Sequence, residues 1–282
     1  MNKPFTGILI LILAMTTLQY GSSLAKNLFS LSGIAGATGL RLFFASFCLM
    51  IFLRPWRRPF KKEYLLPLFL YGSTLGLMNL SFYFALSRIP LGIAVALEFI
   101  GPLGLALISS KSRWDFLWVL CAGLGIYFLL PLKEGHESLD YWGIIYALLA
   151  GLFWALYIIF GKRLSNTLPT KMGISYGMCI AALVVMPFAI TLNFNELFNP
   201  AVLLPGLLVG IFASAIPYAL ELRAMRNLSQ KSFSILMSLE PAVASLIGVI
   251  FLREYLTLDQ SLAIGLVCVA SVGTSLSSSN SL

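Results

Sequence analysis

The chain has 282 residues, of which 59% are hydrophobic and only 11% are charged, and its mean hydropathy is +0.91. Soluble domains carry about 25% charged residues, so the composition excludes an ordinary water-soluble fold, and the abundance of apolar residues excludes disorder. Ten membrane-spanning helices of roughly 20 residues each would use most of the length. Little chain then remains for a soluble catalytic or nucleic-acid-binding domain. The net charge of +8 must therefore be explained first by the position of the basic residues relative to the membrane.

Apolar segments of near-spanning length follow one another along the chain, each bounded by charged residues or by Pro, Gly or Asn. They lie at residues 5–25, 34–53, 64–86, 90–110, 114–131, 141–161, 172–192, 200–222, 232–252 and 258–276. The backbone in lipid must satisfy its own hydrogen bonds, so each segment is predicted to be a helix. The predicted fold is an all-α polytopic membrane protein with ten transmembrane helices.

The distribution of Lys and Arg predicts the orientation of these helices. With the N-terminus inside, 14 of the 19 basic residues fall in cytoplasmic segments, four fall outside, and Arg41 lies within a span. Both termini are therefore predicted to be cytoplasmic. The basic excess is explained by topology and by contact with lipid headgroups, and nucleic acid is not an expected partner.

The two halves of the chain resemble each other at a nearly constant offset. The pairs matched at offsets of 136 and 138 are Gly7 with Gly143, Lys26 with Lys162, and Gly72 with Gly210. Such a constant offset predicts a duplication, with repeats at 5–131 and 141–276. Because each repeat has five spans, an odd number, the second is expected to be inverted, an arrangement typical of secondary transporters.

Four ionisable residues fall within the predicted spans, namely Arg41, Glu98, Glu221 and Glu240. A charge near the bilayer centre costs at least about 2.5–3.5 kcal/mol, so such residues usually mark a pathway or a paired site. One interpretation is a central cavity in which carboxylates meet a substrate ammonium or a proton. The other is a structural ion pair between Arg41 and one carboxylate, with Glu221 in an interfacial cluster.

Polar and aromatic side chains at helical spacing favour a cavity. The sets that share a helix face are Thr16, Gln19, Tyr20 and Ser23; Gly72, Gly76, Asn79 and Tyr83; Trp154 and Tyr157; and Tyr218 and Glu221. Small and hydroxyl residues also bring membrane helices together, and aromatic residues at this spacing also simply pack. Both interpretations stay open for these faces.

Nothing in the sequence points to catalysis or to a bound metal or cofactor. Cys48, Cys121, Cys179 and Cys268 are widely separated within apolar runs, and the single histidine, His136, lies in a polar loop. Neither a nucleophile–base pair nor a phosphate-binding glycine loop can be found. We therefore expect that the protein is not an enzyme. An intramembrane scaffold stays open as a rival: a scaffold would tolerate neutralisation of Glu98, whereas a carrier would lose transport.

Several stretches carry a family resemblance that covers nearly the whole chain. They are GSSLAKNLF at 21–29, MNLSFYFAL at 78–86, PLGIAVALEFIGPLGLALISS at 90–110, PYALE at 217–221 and LMSLEPAVASLIGVIFLREYLT at 236–257. With these stretches the chain resembles the EamA-type drug/metabolite transporter superfamily. The resemblance implies two inverted five-helix repeats in a bacterial inner membrane. It also implies export of small neutral amino acids such as threonine and homoserine, driven by proton antiport.

The resemblance also implies a substrate site between the repeats, near Glu98 and Glu240. We expect Glu98, with Asn79 and Tyr83, to receive the substrate ammonium. Arg41, or backbone amides near a proline, would receive the carboxylate. Gln19, Tyr20, Trp154 and Tyr218 are expected to complete the binding site, and Glu98 and Glu240 are the expected proton-coupling groups.

The expected partners are therefore the amino acid, protons and membrane lipid, and the sequence favours neither a monomer nor a homodimer. The alternative is a broader efflux pump for cationic or aromatic compounds. Such a pump would use the same Glu98 and would have no need of Arg41.

Overall fold

The computed structural model describes residues 3–109, 117–118, 120–121, 123–125, 140–165, 167–197, 199–225, 227–228, 233 and 236–277. These residues are helical apart from turns and short connections, and none of them forms a strand. Parts of the fifth and ninth predicted spans lie outside this range. So do His136 and the counted basic residues Lys111, Arg113, Lys133, Arg226 and Lys231.

Four helices have their bounds within the described part of the first half, and residues 117–118, 120–121 and 123–125 are helical as well. The four are α1 (Lys3–Leu53), α2 (Leu65–Leu86), α3 (Leu91–Glu98) and α4 (Ile100–Ser109), with 3-10 turns at Pro55–Arg57 and Lys62–Tyr64. Helix α1 contains the first two predicted spans, and α3 and α4, joined at Phe99, together occupy the fourth.

Six further helices have their bounds within the described part of the second half. They are α5 (Tyr141–Ser165), α6 (Thr170–Leu197), α7 (Leu203–Gly210), α8 (Ile216–Met225), α9 (Glu240–Leu252) and α10 (Leu258–Ser277). A 3-10 turn at Pro200–Val202 precedes α7, and a π-helical turn at Ile211–Ala215 joins α7 to α8. At the start of α5, the Gly143 N–H donates to Asp140, and this bond, aided by Arg88, lowers the pKa of Asp140.

Helix α1 folds back on itself at Gly33. This glycine has a φ of 67°, in the left-handed region that side chains disfavour, and the kink there separates two helical arms. Gly21 on the first arm and Arg41 on the second both contact Ala213. In a straight helix, residues 20 positions apart would be about 30 Å apart, so the two arms lie side by side.

Several helices are long and apolar enough to cross a membrane. By length and composition the described residues hold five such segments: Phe5–Arg57, Lys62–Leu86, Tyr141–Leu164, Thr170–Leu197 and Pro200–Glu221. Leu91–Leu105, Glu240–Leu252 and Leu258–Ala270 are shorter apolar helices. The chain is thus an all-helical, multi-pass membrane protein, and ten spans, their inversion and the side of the termini stay predictions.

The interior is built around α3, whose eight residues are all buried. This helix packs against α5 and α9, and α1 packs against α6, α7, α8 and the π-helical turn. Residues from both halves therefore share one apolar core. The packing places Glu98, at the end of α3, in the interior of the molecule.

Candidate functional site

Arg41 is held in the interior by the π-helical turn of the other half. Its side chain is 3% exposed. Nε donates to Oγ of Ser214 over 2.9 Å, and Nη2 donates to the Ala213 carbonyl over 2.8 Å. A guanidinium has five N–H donors; these two bonds use two of them, and the Tyr83 hydroxyl lies close enough to accept from a third. The remaining donors can bind a carboxylate through two parallel hydrogen bonds.

Tyr83 lies directly beside this guanidinium. Cζ of Arg41 is 5.1 Å from the centroid of the Tyr83 ring, a cation–π distance. The tyrosine is fully buried, and its hydroxyl makes no hydrogen bond of good geometry in the described part of the chain, although the Arg41 guanidinium lies within its reach. A buried hydroxyl without a partner costs about 1–3 kcal/mol, so this group is available to a ligand.

Glu98 is buried near Arg41 but does not pair with it. The carboxylate is on a residue only 8% exposed, and both Arg41 and Glu240 lie within range of electrostatic interaction. Within the described ranges, the ion pairs join Lys26 to Glu254, Lys61 to Glu63 and Arg88 to Asp140. The described ranges therefore hold no structural ion pair between Arg41 and a membrane carboxylate.

Gln19 and Glu240 form another buried hydrogen bond between the halves. Nε2 of Gln19 donates to Oε1 of Glu240 over 3.1 Å, and both side chains are buried. Oε1 of Gln19 and Oε2 of Glu240 have no partner among the described residues. Both oxygens can accept a hydrogen bond but receive none from the described residues. A proton or an ammonium group would supply the missing donor.

The two glutamates lie at the ends of their helices. Glu98 is the last residue of α3, and Phe99, which keeps helical backbone angles and hydrogen bonds to Val95 and Leu103, joins α3 to α4. Glu240 is the first residue of α9 and follows a turn at Ser238–Leu239. The turn before Glu240 is of the kind that separates the parts of a discontinuous helix, and discontinuous helices are common around the binding sites of transporters.

A group of tyrosines lies beside Glu221. The hydroxyl of Tyr71 donates to that of Tyr157 over 2.9 Å, and the two rings stack with centroids 4.7 Å apart. Glu221 and Tyr218, both on α8, lie within electrostatic range of Tyr157. Tyr218 is also within range of Arg41 and Glu98. The tyrosines therefore extend the polar interior from the Arg41 region towards Glu221.

The remaining predicted residues pack within the fold. The side-chain amide of Asn79 donates to the Leu75 carbonyl of its own helix over 2.8 Å. The ring of Tyr20 contacts Phe212 and Phe251 edge-on, and the Trp154 ring contacts Phe99 in the same way. For Tyr20 and Trp154 these ring contacts favour the packing interpretation.

Sequence reasoning missed Ser214, the Ala213 carbonyl and Tyr71. Ser214 is a single hydroxyl residue in an apolar run, and nothing in that run announces a π-helical turn. The sequence does hold a signal for Tyr71, which lies one residue before Gly72 on the same predicted helix as Asn79 and Tyr83. No group of three or more His, Cys, Asp or Glu side chains suited to a metal occurs in the ranges given above.

Comparisons with known proteins agree with this fold. The model of the EamA-like transporter family matches residues 141–276. The chain is 45% identical over 269 residues to the threonine/homoserine exporter RhtA of Escherichia coli K12, covering 95% of this chain and 91% of that protein. It is 44% identical, with the same coverage, to the exporter of that name from Salmonella typhimurium LT2.

A crystal structure of a protein with 16% identical residues has a TM-score of 0.60, covering 96% of this chain and 98% of the other. At this identity the likeness concerns the fold alone. The extensive identity to the two exporters and the family match together show the relationship. The chain belongs to the EamA-like transporter family, and it is a transporter and not an enzyme.

Proposed function

We propose that this protein exports small neutral amino acids of the threonine and homoserine type from the cytoplasm in exchange for protons. It acts in the bacterial inner (cytoplasmic) membrane. The observation that carries the proposal is the state of Arg41: it is a buried cation anchored by two hydrogen bonds, with donors left for a ligand, and it makes no ion pair with the nearby Glu98. The names of the related exporters support the choice of substrate.

The arrangement of charges suits a zwitterion. An amino acid carries one ammonium and one carboxylate, and neither can leave water without a partner. Arg41 would receive the carboxylate on its unused N–H groups. Glu98 would receive the ammonium, together with the Tyr83 hydroxyl and the Asn79 side chain. The substrate would thus lie between a buried cation and a buried carboxylate that do not contact each other.

Proton exchange is assigned to Glu98, with Glu240 as a second proton site. An ammonium and a proton would compete for Glu98, which couples outward movement of substrate to inward movement of a proton. Moving one charge through 100 mV supplies about 2.3 kcal/mol, equivalent to a concentration ratio of roughly fifty-fold. One proton for each neutral amino acid is therefore enough for useful export.

Alternating access would come from two inverted repeats, 5–131 and 141–276, that move relative to each other. Both Arg41–Ser214 and Gln19–Glu240 join residues of different repeats, so the site lies between the proposed moving parts. Ten spans with both termini in the cytoplasm would place Arg41 and Glu98 within the membrane. The turn at Ser238–Leu239 before α9 supports this mechanism, because discontinuous helices are common in transporters.

A broader efflux pump for cationic or aromatic compounds is the second candidate. The stacked Tyr71–Tyr157 pair near Glu221 favours it, because aromatic rings and a carboxylate attract organic cations. The organic cations that such a pump would export carry no carboxylate, so the unused donors of Arg41 would have no role in binding them.

A substrate panel in proteoliposomes tests these two functions. The panel contains radiolabelled threonine and homoserine, the amine that remains when threonine lacks its carboxylate, and an aromatic organic cation, each with and without a pH gradient. We expect gradient-driven transport of threonine and homoserine only. Transport of the organic cation without transport of either amino acid would reject the proposal in favour of the efflux pump.

A further inference from the structure

A three-way contact joins helices of both halves away from the site. Nζ of Lys26 pairs with Oε1 of Glu254 over 2.6 Å, and the backbone N–H of Leu91 donates to Oε2 of Glu254 over 2.8 Å. One carboxylate therefore binds both a cation and a backbone amide. We call these three residues the outer latch, because the predicted topology places Lys26 and the neighbouring Arg253 on the outer side.

Each member of the outer latch belongs to a different element. Lys26 is on the first arm of α1, and Leu91 is the first residue of α3. Glu254 lies in the short non-helical stretch between α9 and α10, just after Arg253, whose φ of 54° turns the chain. The contact therefore ties two helices of the first half to the end of a helix from the second.

The outer latch is connected to the candidate site through α3. That helix begins at Leu91, is buried throughout and ends at Glu98. Its N-terminal residue is fixed by Glu254, and the next residue, Gly92, lies against Ser245 of α9. Movement of Glu254 away from Leu91 would free the outer end of the helix that carries Glu98.

The energetics suit a contact that opens and closes. The side chain of Glu254 is 11% exposed and that of Lys26 is 30% exposed, so the pair is shielded from water but remains next to it. A fully exposed ion pair contributes little, and a deeply buried one leaves a costly unpaired charge when it breaks. A partly exposed pair can separate into water without that large cost.

We propose that Glu254 is a positioning residue that keeps the outer side closed by holding α1, α3 and the end of α9 together. The outer latch must release before an amino acid can leave outward. This inference rests on the alternating access in the proposed function. It assigns a role to Glu254 and Lys26, neither of which contacts the candidate substrate site.

Substitutions can separate the two interactions of Glu254. Lys26→Met removes the ion pair and leaves the carboxylate for Leu91. Glu254→Gln also removes the ion pair but keeps an amide oxygen that accepts from the Leu91 N–H. Glu254→Ala removes both interactions, and Lys26→Arg retains the positive charge. The matched control is Arg88→Gln, which breaks the exposed Arg88–Asp140 pair, predicted to lie on the same side.

Thiol labelling from the outside measures whether the outer side is closed. The reporter is Ser245→Cys on α9, placed where α9 meets α3, in a chain whose four natural cysteines are replaced by serine. A membrane-impermeant charged thiol reagent is added to intact cells. We expect labelling to be at least about three-fold faster with Lys26→Met or Glu254→Gln, and faster still with Glu254→Ala. Lys26→Arg and Arg88→Gln should label at the starting rate.

An unchanged labelling rate in Glu254→Ala, for protein with the starting thermal unfolding profile, would overturn the proposal. Equal acceleration in Arg88→Gln would also overturn it, because the effect would then be a general loss of outer packing. Labelling requires no substrate. Faster labelling together with a failed threonine panel would therefore reject the proposed substrate and retain the outer latch.

Discussion

Arg41 uses its hydrogen bonds on a hydroxyl and a backbone carbonyl, and not on a carboxylate. Two of its donors fix the position of the guanidinium, and the rest stay available. Lysine could not replace it, because an ammonium lacks the planar fork that holds two partners and still binds a carboxylate. The guanidinium is therefore both anchored and free to bind.

Replacing Arg41 by alanine should weaken binding of threonine. Removing one partner of a buried, hydrogen-bonded charge pair costs about 2 kcal/mol or more, which corresponds to roughly thirty-fold in apparent affinity. The measurement is the concentration of threonine that gives half-maximal counterflow in proteoliposomes. The amine that lacks the carboxylate, added as a competitor, should inhibit wild type and variant equally. A parallel loss of inhibition by that amine would contradict the role of Arg41.

Tyr83 and Tyr71 offer a matched pair of hydroxyl deletions. The Tyr83 hydroxyl makes no hydrogen bond of good geometry with the described residues, whereas the Tyr71 hydroxyl donates to Tyr157. Tyr83→Phe should leave thermal unfolding in detergent unchanged and weaken threonine binding by about 2- to 10-fold, the value of one hydrogen bond. Tyr71→Phe should instead lower stability by about 0.5–1.5 kcal/mol. Loss of stability in Tyr83→Phe with unchanged threonine binding would show that its hydroxyl serves the fold.

For single residues, the sequence predicted which side chains carry functional chemistry better than it predicted which residues they contact. Arg41, Glu98 and Glu240 are recognisable because ionisable groups are rare in apolar spans. The residues that they contact are not recognisable in the sequence, since Ser214 is 173 positions from Arg41 and Glu240 is 221 positions from Gln19. No local pattern specifies which residues meet over such separations. The choice between an ion pair and a free guanidinium at Arg41 required the structure.

The π-helical turn at Ile211–Ala215 is the element on which the Arg41 site depends. Its Ala213 carbonyl and Ser214 hydroxyl both accept from Arg41. Single π-helical turns within helices are rare and often lie at functional sites. The run IFASA gives no sequence signal for such a turn, because five apolar or small residues fit an α-helix equally well.

Gly21 allows the first arm of α1 to approach this turn. A Cβ at Gly21 would collide with the backbone of Phe212 and Ala213, which cannot move aside as a flexible side chain can. Gly21→Ala should therefore cost about 1–3 kcal/mol of stability, as overpacking does. Thermal unfolding in detergent measures the loss. Gly265→Ala is the control, because no heavy atom lies within 4 Å of the added Cβ. Equal stability of the two variants would contradict the close approach.

Across the whole molecule, hydropathy and length predicted an all-helical membrane protein because lipid admits few other folds. Helix α1 is continuous by its hydrogen bonds over 51 residues, but it reverses direction at Gly33, and this reversal agrees with two separate spans. Ten spans, inverted repeats and cytoplasmic termini stay predictions from charge and offset. The outer latch could not be predicted, since Lys26 and Glu254 are 228 positions apart.

The central claim is that Glu98 exchanges a proton for the amino acid. Its most direct test compares Glu98→Gln with wild type in proteoliposomes, with and without an imposed pH gradient, using Glu63→Gln at an exposed position as the control. We predict that Glu98→Gln abolishes the acceleration of threonine transport by the gradient, while Glu63→Gln keeps it. Full gradient-driven threonine transport by Glu98→Gln would contradict the account.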